Sequence, residues 1–202
     1  MLTVTSLCAV SNLSYHKREV YIMYPVLRLI TASVKASRQP RLHPSEVFEN
    51  SFICMPWDID MFLEMNNGRV LTLCDIGRFV MAIRIGLIKI LREHKWGLVV
   101  AGSTVQYRKR IRMFDKVTLR TQIAAYDNLW IYITQSMWVD GKPASSVLLR
   151  TGVTSKGKVV ASDKVRAALG LQDWQPKPSP WVQAWINSEL LRPWPPHSSI
   201  NS

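Results

Sequence analysis

Between residues 58 and 69 the chain reads Asp-Ile-Asp-Met-Phe-Leu-Glu-Met-Asn-Asn-Gly-Arg. Three carboxylates (Asp58, Asp60, Glu64) stand immediately before two amides (Asn66, Asn67). A carboxylate in such a run can act as a general base or as a nucleophile. Asn66 or Asn67 suits the cap of a following helix, because a short side-chain oxygen accepts a bond from an orphan N–H. The N–H groups left over at that helix start, helped by the macrodipole, can polarise a carbonyl and hold the oxyanion that develops on it. Together these parts suit attack on an activated carbonyl. The same residues also have a plain structural reading, in which Asp58 and Asp60 shape a turn and Asn66 only caps the helix.

A second cluster is cationic. Arg108, Lys109, Arg110 and Arg112 follow an alternating apolar stretch, with Lys116 and Arg120 beyond. If the strand continues through them, Arg108, Arg110 and Arg112 share one face and Lys109 takes the other. Arginine forks bind phosphate in bidentate fashion, so the run could hold a phosphorylated ligand. A solvated strand edge guarded against aggregation is the competing account. The other reactive residue types offer less. His16, His43, His94 and His197 have no Ser, Cys or metal-ligand neighbours in the sequence, and Cys8, Cys54 and Cys74 form no CxxC. A disulfide framework or a structural zinc site is therefore not expected. No GxSxG, Walker loop or GxGxxG occurs, which removes α/β-type serine hydrolases, P-loop nucleotide hydrolases and Rossmann dehydrogenases.

The 202 residues carry 26 Lys+Arg against 14 Asp+Glu, a formal net charge of +12. Nucleic acid, an anionic membrane and a phosphorylated group such as coenzyme A are all electrostatically suitable partners. Residues 21–32 are the longest apolar stretch near the N-terminus, and Arg28 interrupts it well short of the ~20 residues needed to span a bilayer. The first ten residues lack a basic n-region, so no signal peptide is expected, and residues 1–22 read as a disordered extension or as a start assigned upstream of Met23.

The elements that must position these groups follow from periodicity. Residues 23–36 suit a short basic amphipathic helix, and prolines at 40 and 44 end it. Residues 46–55 read as a first strand. From Gly68 to about Arg92 apolar residues crowd more than one face, which places that helix inside the protein, with a break or kink at Gly86. Beyond Trp96-Gly97 the period becomes two, and four consecutive antiparallel strands follow. Asp140-Gly141 and Lys156-Gly157-Lys158 mark tight turns. Residues 163–169 form a short helix closed by Gly170. A lone helix that is apolar nearly all round needs a sheet curled about it, which is the α+β hot dog architecture. The expected organisation is an N-terminal extension (1–45), a hot dog domain (46–170) and a Pro/Trp-rich tail (171–202). That tail packs on the domain or on a second subunit.

Asp58, Asp60 and Met65-Asn66-Asn67-Gly68-Arg69 resemble the D-x-D…H-M-N-N-[AG]-R-Y-L signature of hot dog thioesterases of the 4-hydroxybenzoyl-CoA thioesterase type. The resemblance covers roughly residues 23–170, Arg108-Lys109-Arg110 included. It implies an acyl-CoA thioesterase that cleaves a fatty or aromatic acyl-CoA to free acid and CoA. No cofactor is expected beyond the coenzyme A of the substrate. A homodimer or dimer of dimers is expected, with sites at subunit interfaces. Asp60 takes the place of the family's catalytic carboxylate. The N–H groups of Asn67 and Gly68 are the expected oxyanion donors, and Glu64 is a second general base or a bystander. Asp58, Met61, Phe62, Asn66, Arg108, Lys109 and Arg110 are the expected substrate contacts. Glu64 stands where the pattern has His, and Val70 where it has Tyr, which alters the available acid–base chemistry. The alternative reading is a non-catalytic hot dog protein binding acyl-CoA, acyl carrier protein or lipid. Its basic N-terminal segment would then rest on an anionic membrane. The expected compartment is the cytoplasm, and nucleic-acid binding rests on charge alone.

Overall fold

The computed structural model describes residues 25–193. The expectations for residues 1–22, His16, His197 and Cys8 lie outside the described residues. Chain order is α1 (Val26–Ser37), β1 (Phe48–Ile53), a 3-10 turn (Pro56–Asp58), α2 (Asn67–Arg84), α3 (Leu87–His94) and β2 (Gly97–Tyr107). Then follow β3 (Lys116–Tyr126), β4 (Ile131–Val139), β5 (Lys142–Ser155), β6 (Lys158–Val160), α4 (Ser162–Leu169) and α5 (Pro180–Leu191).

All strand pairs are antiparallel, in the order β1-β3-β4-β5-β2, with β6 added to β5. The register slips at Val100/Gly102 in β2, at Ile123/Ala125 in β3 and at Ala144 in β5, opposite Met137/Trp138 of β4. An extra residue in one strand of a pair bends it and increases its twist, and slips in three strands help curl the sheet. The result is a hot dog fold, a curled antiparallel sheet holding a helix in its concave face. On α2, Leu73, Cys74, Ile76, Val80 and Met81 are buried in one core with Val117, Leu119, Met137, Val147 and Leu149 of the sheet.

Gly77 sets how close that helix comes. A Cβ there would lie 2.6 Å from Leu119 Cδ2 and 3.1 Å from both Gln135 Nε2 and Thr121 Oγ1. The facing polar groups are satisfied: Gln135 Nε2 donates to Thr121 Oγ1 and to the Cys74 carbonyl, each at 2.9 Å. Arg78 closes this network, donating to Gln135 Oε1 at 2.8 Å while pairing with Asp75 at 2.8 Å.

The central helix is not one rod as far as Arg92. It stops at Arg84, and Gly86 adopts φ +83° before α3 starts. A left-handed residue cannot continue a right-handed helix, and glycine takes that conformation at little cost. The first strand is also shorter than residues 46–55. Outside the sheet, Val182, Trp185 and Ile186 of α5 pack on Ala125, Tyr132 and Leu148, covering part of the face opposite α2. Trp174 of the tail makes an edge contact with Tyr126, ring centroids 5.6 Å apart. Among the described residues no helix is long and apolar enough to cross a membrane.

Candidate active site

Residues 58–69 form a tight hook between β1 and α2. Met65 N–H donates to Ile111 O at 2.8 Å and Asn66 N–H to Asp58 O at 2.9 Å, so the hook is tied both to the loop after β2 and to itself. Asp60 N–H donates to Glu64 O at 2.9 Å, and Asp60 Oδ1 accepts the Phe62 N–H at 2.8 Å. One Asp60 oxygen thus holds the turn and the other stays available.

Asp58, read from the sequence as a substrate contact, is instead wholly enclosed at 0% exposure. Its Oδ2 lies 2.8 Å from the Arg28 guanidinium of α1 and accepts the Met55 N–H at 2.9 Å, while Oδ1 lies 3.2 Å from Arg69 Nε of α2. A carboxylate removed from water needs such compensation. Asp58 therefore positions the hook against two helices rather than meeting a ligand.

Asn66 is the cap of α2. Its Oδ1 accepts from Gly68 N–H at 2.9 Å and Arg69 N–H at 3.3 Å, and its carbonyl accepts the Val70 N–H at 3.1 Å. Of the two expected oxyanion donors, Gly68 is thereby occupied. The Asn67 N–H is the first-turn donor left over, at the positive end of an 18-residue helix.

That helix start opens on a cavity of about 220 Å³ walled by Glu64, Asn67, Tyr107, Arg108, Lys109, Arg110 and Ser145, among others. Glu64 and the basic run, far apart in sequence, meet here, and Arg110 Nε pairs with Glu64 Oε2 at 3.0 Å. The strand does not run through the cations. β2 ends at Tyr107, and the N–H groups of Arg108 and Lys109 both donate to Ala144 O, at 2.9 and 3.0 Å. Two successive amides on one carbonyl break the alternation, so the expected division of faces is replaced by three consecutive cations on one wall. Asp60 is not itself on the wall but is one hydrogen bond from it, through Glu64. Met61 and Phe62 point outward and are strongly exposed.

Two wall residues carry no signal in the sequence. Tyr107 faces Ser145 across the β2–β5 register, and only that non-local pairing unites them. The Ser145 hydroxyl is buried with no partner among the described residues, which marks a place for a ligand atom. Burial raises the Tyr107 pKa, so the phenol stays a donor, and it reaches toward Asn67 O at 3.5 Å. Cys54 and Cys74 do not suit a nucleophile's role, since burial pushes the Cys54 thiol up to about 11 and the Cys74 thiol to about 12. Among the described residues no cluster of ligating side chains suits a metal ion.

Further along α2 lies a second, mostly apolar cavity of about 180 Å³. Phe79, Ala82, Ile85, Leu98, Val100 and Ile133 contribute to its lining, and the Asp75–Arg78 pair contributes its polar edge. Asp75 and Arg78 continue the helical face that Asn67 begins, at spacings of eight and three residues.

The model of the thioesterase-like superfamily matches residues 54–186. Protein THEM6 of Xenopus laevis is 33% identical over 85 residues, 42% of this chain and 41% of that protein. Protein THEM6 of Danio rerio is 37% identical over 78 residues, 39% of each chain. The match thus spans about two fifths of the length of these curated relatives. In structure, the Escherichia coli protein YbaW, described as a probable thioesterase, superposes with a TM-score of 0.57 at 16% identity, covering 61% of this chain and 97% of that one. The Staphylococcus aureus protein SAV2348, solved in complex with CoA, gives a TM-score of 0.55 at 13% identity over 69% of this chain and 92% of that one. These likenesses show the fold, and the family match over 54–186 shows the kinship: the chain belongs to the thioesterase-like superfamily.

Proposed function

We propose that the protein hydrolyses the thioester of an acyl-CoA. The observation that carries this reading is the cavity in which a leftover helix N-terminal N–H and three cations meet the Glu64 end of the hook, with Asp60 in the same turn, its N–H bonded to the Glu64 carbonyl. The thioester carbonyl oxygen sits at the Asn67 N–H, where the helix dipole favours the negative charge of the tetrahedral intermediate. Asp60 takes a proton from water as it attacks the carbonyl carbon. The intermediate then collapses by breaking the C–S bond, and CoA leaves as a thiol once that proton is returned. Arg108, Lys109 and Arg110 hold the phosphates of CoA. The SAV2348 likeness adds support, since that protein was solved with CoA bound.

The acyl chain runs along α2 toward the apolar cavity. Its polar edge at Asp75 lies eight residues from Asn67, about 12 Å at 1.5 Å per residue. Long acyl groups reach it and acetyl does not. Release of free CoA thiol from acetyl- to stearoyl-CoA, with benzoyl- and phenylacetyl-CoA alongside, tests the reading. Hydrolysis rising with chain length is expected, and no hydrolysis of any thioester overturns it.

The assembly is part of the proposal. Of the long strands, β2 is an edge: eleven residues, paired only with β5, and with Leu98 and Val100 about half exposed. A long exposed edge invites pairing with another chain. Two β2 edges meeting about a two-fold axis continue the sheet and close the open side of α2, where Asp75 and Phe79 reach the surface. Light scattering is expected to give twice the 23.1 kDa of one chain, and a monomer across the micromolar range removes this part of the proposal.

A further inference from the structure

The hook before α2 and the turn before β3 together present six large apolar side chains to solvent. Exposure runs from 47% at Met113 through Phe114, Trp57, Phe62 and Leu63 to 86% at Met61. The two turns are clamped side by side: Met65 N–H donates to Ile111 O at 2.8 Å, Cys54 N–H to Asp115 O at 2.9 Å and Phe114 N–H to Cys54 O at 2.7 Å. Leu63 and Phe114 stand at φ +58° and +68°, in the left-handed region that bulky side chains avoid. A soluble domain rarely displays a contiguous apolar patch of this kind without a partner, and backbone strain persists where the surroundings enforce it.

We propose that this tip docks on an anionic lipid bilayer. Charge and shape both select that occupant. Arg108, Lys109, Arg110, Arg112 and Lys116 flank the tip and are exposed. The carboxylates beside it are fewer and engaged: Asp60 accepts the Phe62 N–H, Glu64 pairs with Arg110, and Asp115 accepts the Arg112 N–H. A second copy meeting the tip about a two-fold axis would set these cations against their own images, which is unfavourable. The patch is a pair of protruding turns rather than a groove, and it offers Trp, Phe, Met and Leu, suited to the headgroup boundary of a membrane. The cations above that boundary then meet anionic headgroups.

Glu64 and Arg108–Arg110 belong both to the flank of the tip and to the wall of the cavity. Docking therefore turns the candidate active site toward the leaflet, where long-chain acyl thioesters collect. This last step rests on the proposed thioesterase reading, while membrane docking does not.

The test is co-sedimentation of the full chain with vesicles of phosphatidylcholine alone or with a quarter phosphatidylserine. Binding to the anionic vesicles, at least tenfold stronger than to the neutral ones and weakened by salt, is expected. The double variant Trp57→Ser, Phe114→Asn alters exposed side chains, and Asn tolerates the left-handed conformation. It should keep its melting temperature and oligomeric mass and bind anionic vesicles at least tenfold more weakly. Equal binding by the variant, or no binding of the parent to anionic vesicles, overturns the proposal. A change in oligomeric mass, or loss of an acidic protein partner with lipid binding intact, assigns the patch elsewhere and also overturns it. Vesicle-free thioester hydrolysis reports on the catalytic reading separately.

Discussion

Asp60→Asn is expected to lower kcat/KM for a long-chain acyl-CoA by roughly 10²- to 10⁴-fold, the range that a positioned general base contributes. The fall should lie in kcat. In the proposed reading Arg108, Lys109 and Arg110 hold CoA and the apolar cavity holds the acyl chain, so ground-state binding should be left in place and KM should change little. Asn keeps the local structure, because its side-chain oxygen can still accept the Phe62 N–H that Asp60 Oδ1 accepts at 2.8 Å. What it loses is the basic second oxygen. Glu64→Gln separates the two carboxylates of the hook. Glu64 lies in an ion pair with Arg110 at 3.0 Å, whereas Asp60 has one oxygen outside the turn's hydrogen bond. Its replacement should cost less than about tenfold and act mainly on KM, because Arg110 is released from its partner. Steady-state kinetics of the two variants decide the matter. Full activity in Asp60→Asn with loss in Glu64→Gln would move the base to the residue that stands in place of the family's His.

Local chemistry makes part of this site legible in the sequence. The Asn66 cap and the glycine at 86 each state a backbone requirement in one residue, so the start of α2 and an interruption near Gly86 are legible in the sequence, though not that the helix ends at Arg84. The pairing of β2 with β5 states nothing locally. It joins residues 97–107 to 145–154, and that distant register creates the Tyr107–Ser145 wall and ends the strand before Arg108. The curl of the sheet depends on register slips of the same kind. Asp58 shows the limit most sharply. In sequence it and Asp60 are equivalent acids in one motif, and nothing near them says which is buried. The decision comes from Arg28, thirty residues earlier on another helix, which reaches one of its oxygens.

That arrangement makes Asp58→Asn the substitution with the largest expected effect on stability. Asn has nearly the shape of Asp, so packing survives and the change removes charge. It leaves the Arg28 guanidinium, on a side chain only 21% exposed, against a neutral amide, and removes the Asp58 charge that Arg69 also meets. Removing one partner of a buried ion pair costs about 3–5 kcal/mol, because the remaining charge is uncompensated. Both arginines retain some contact with water, which sets the expectation at the lower end. About 3 kcal/mol corresponds to a fall in Tm of roughly 6–12 °C for a chain of this length. A second variant identifies the cause. Arg28→Met placed on Asp58→Asn removes one orphaned cation and keeps the aliphatic stem that packs beside it, so the double variant should recover part of the loss. A positive coupling of at least about 1 kcal/mol is the result expected from groups in direct contact. Additive losses, or a drop under about 1 kcal/mol in the single variant, would mean that the hook is held by its backbone bonds and its cap. In that event Asp58 would be free to have been kept for another reason. With the expected result Asp58 fixes the hook against α1 and α2, which leaves Asp60 as the acid of the D-x-D pair open to the proposed chemistry.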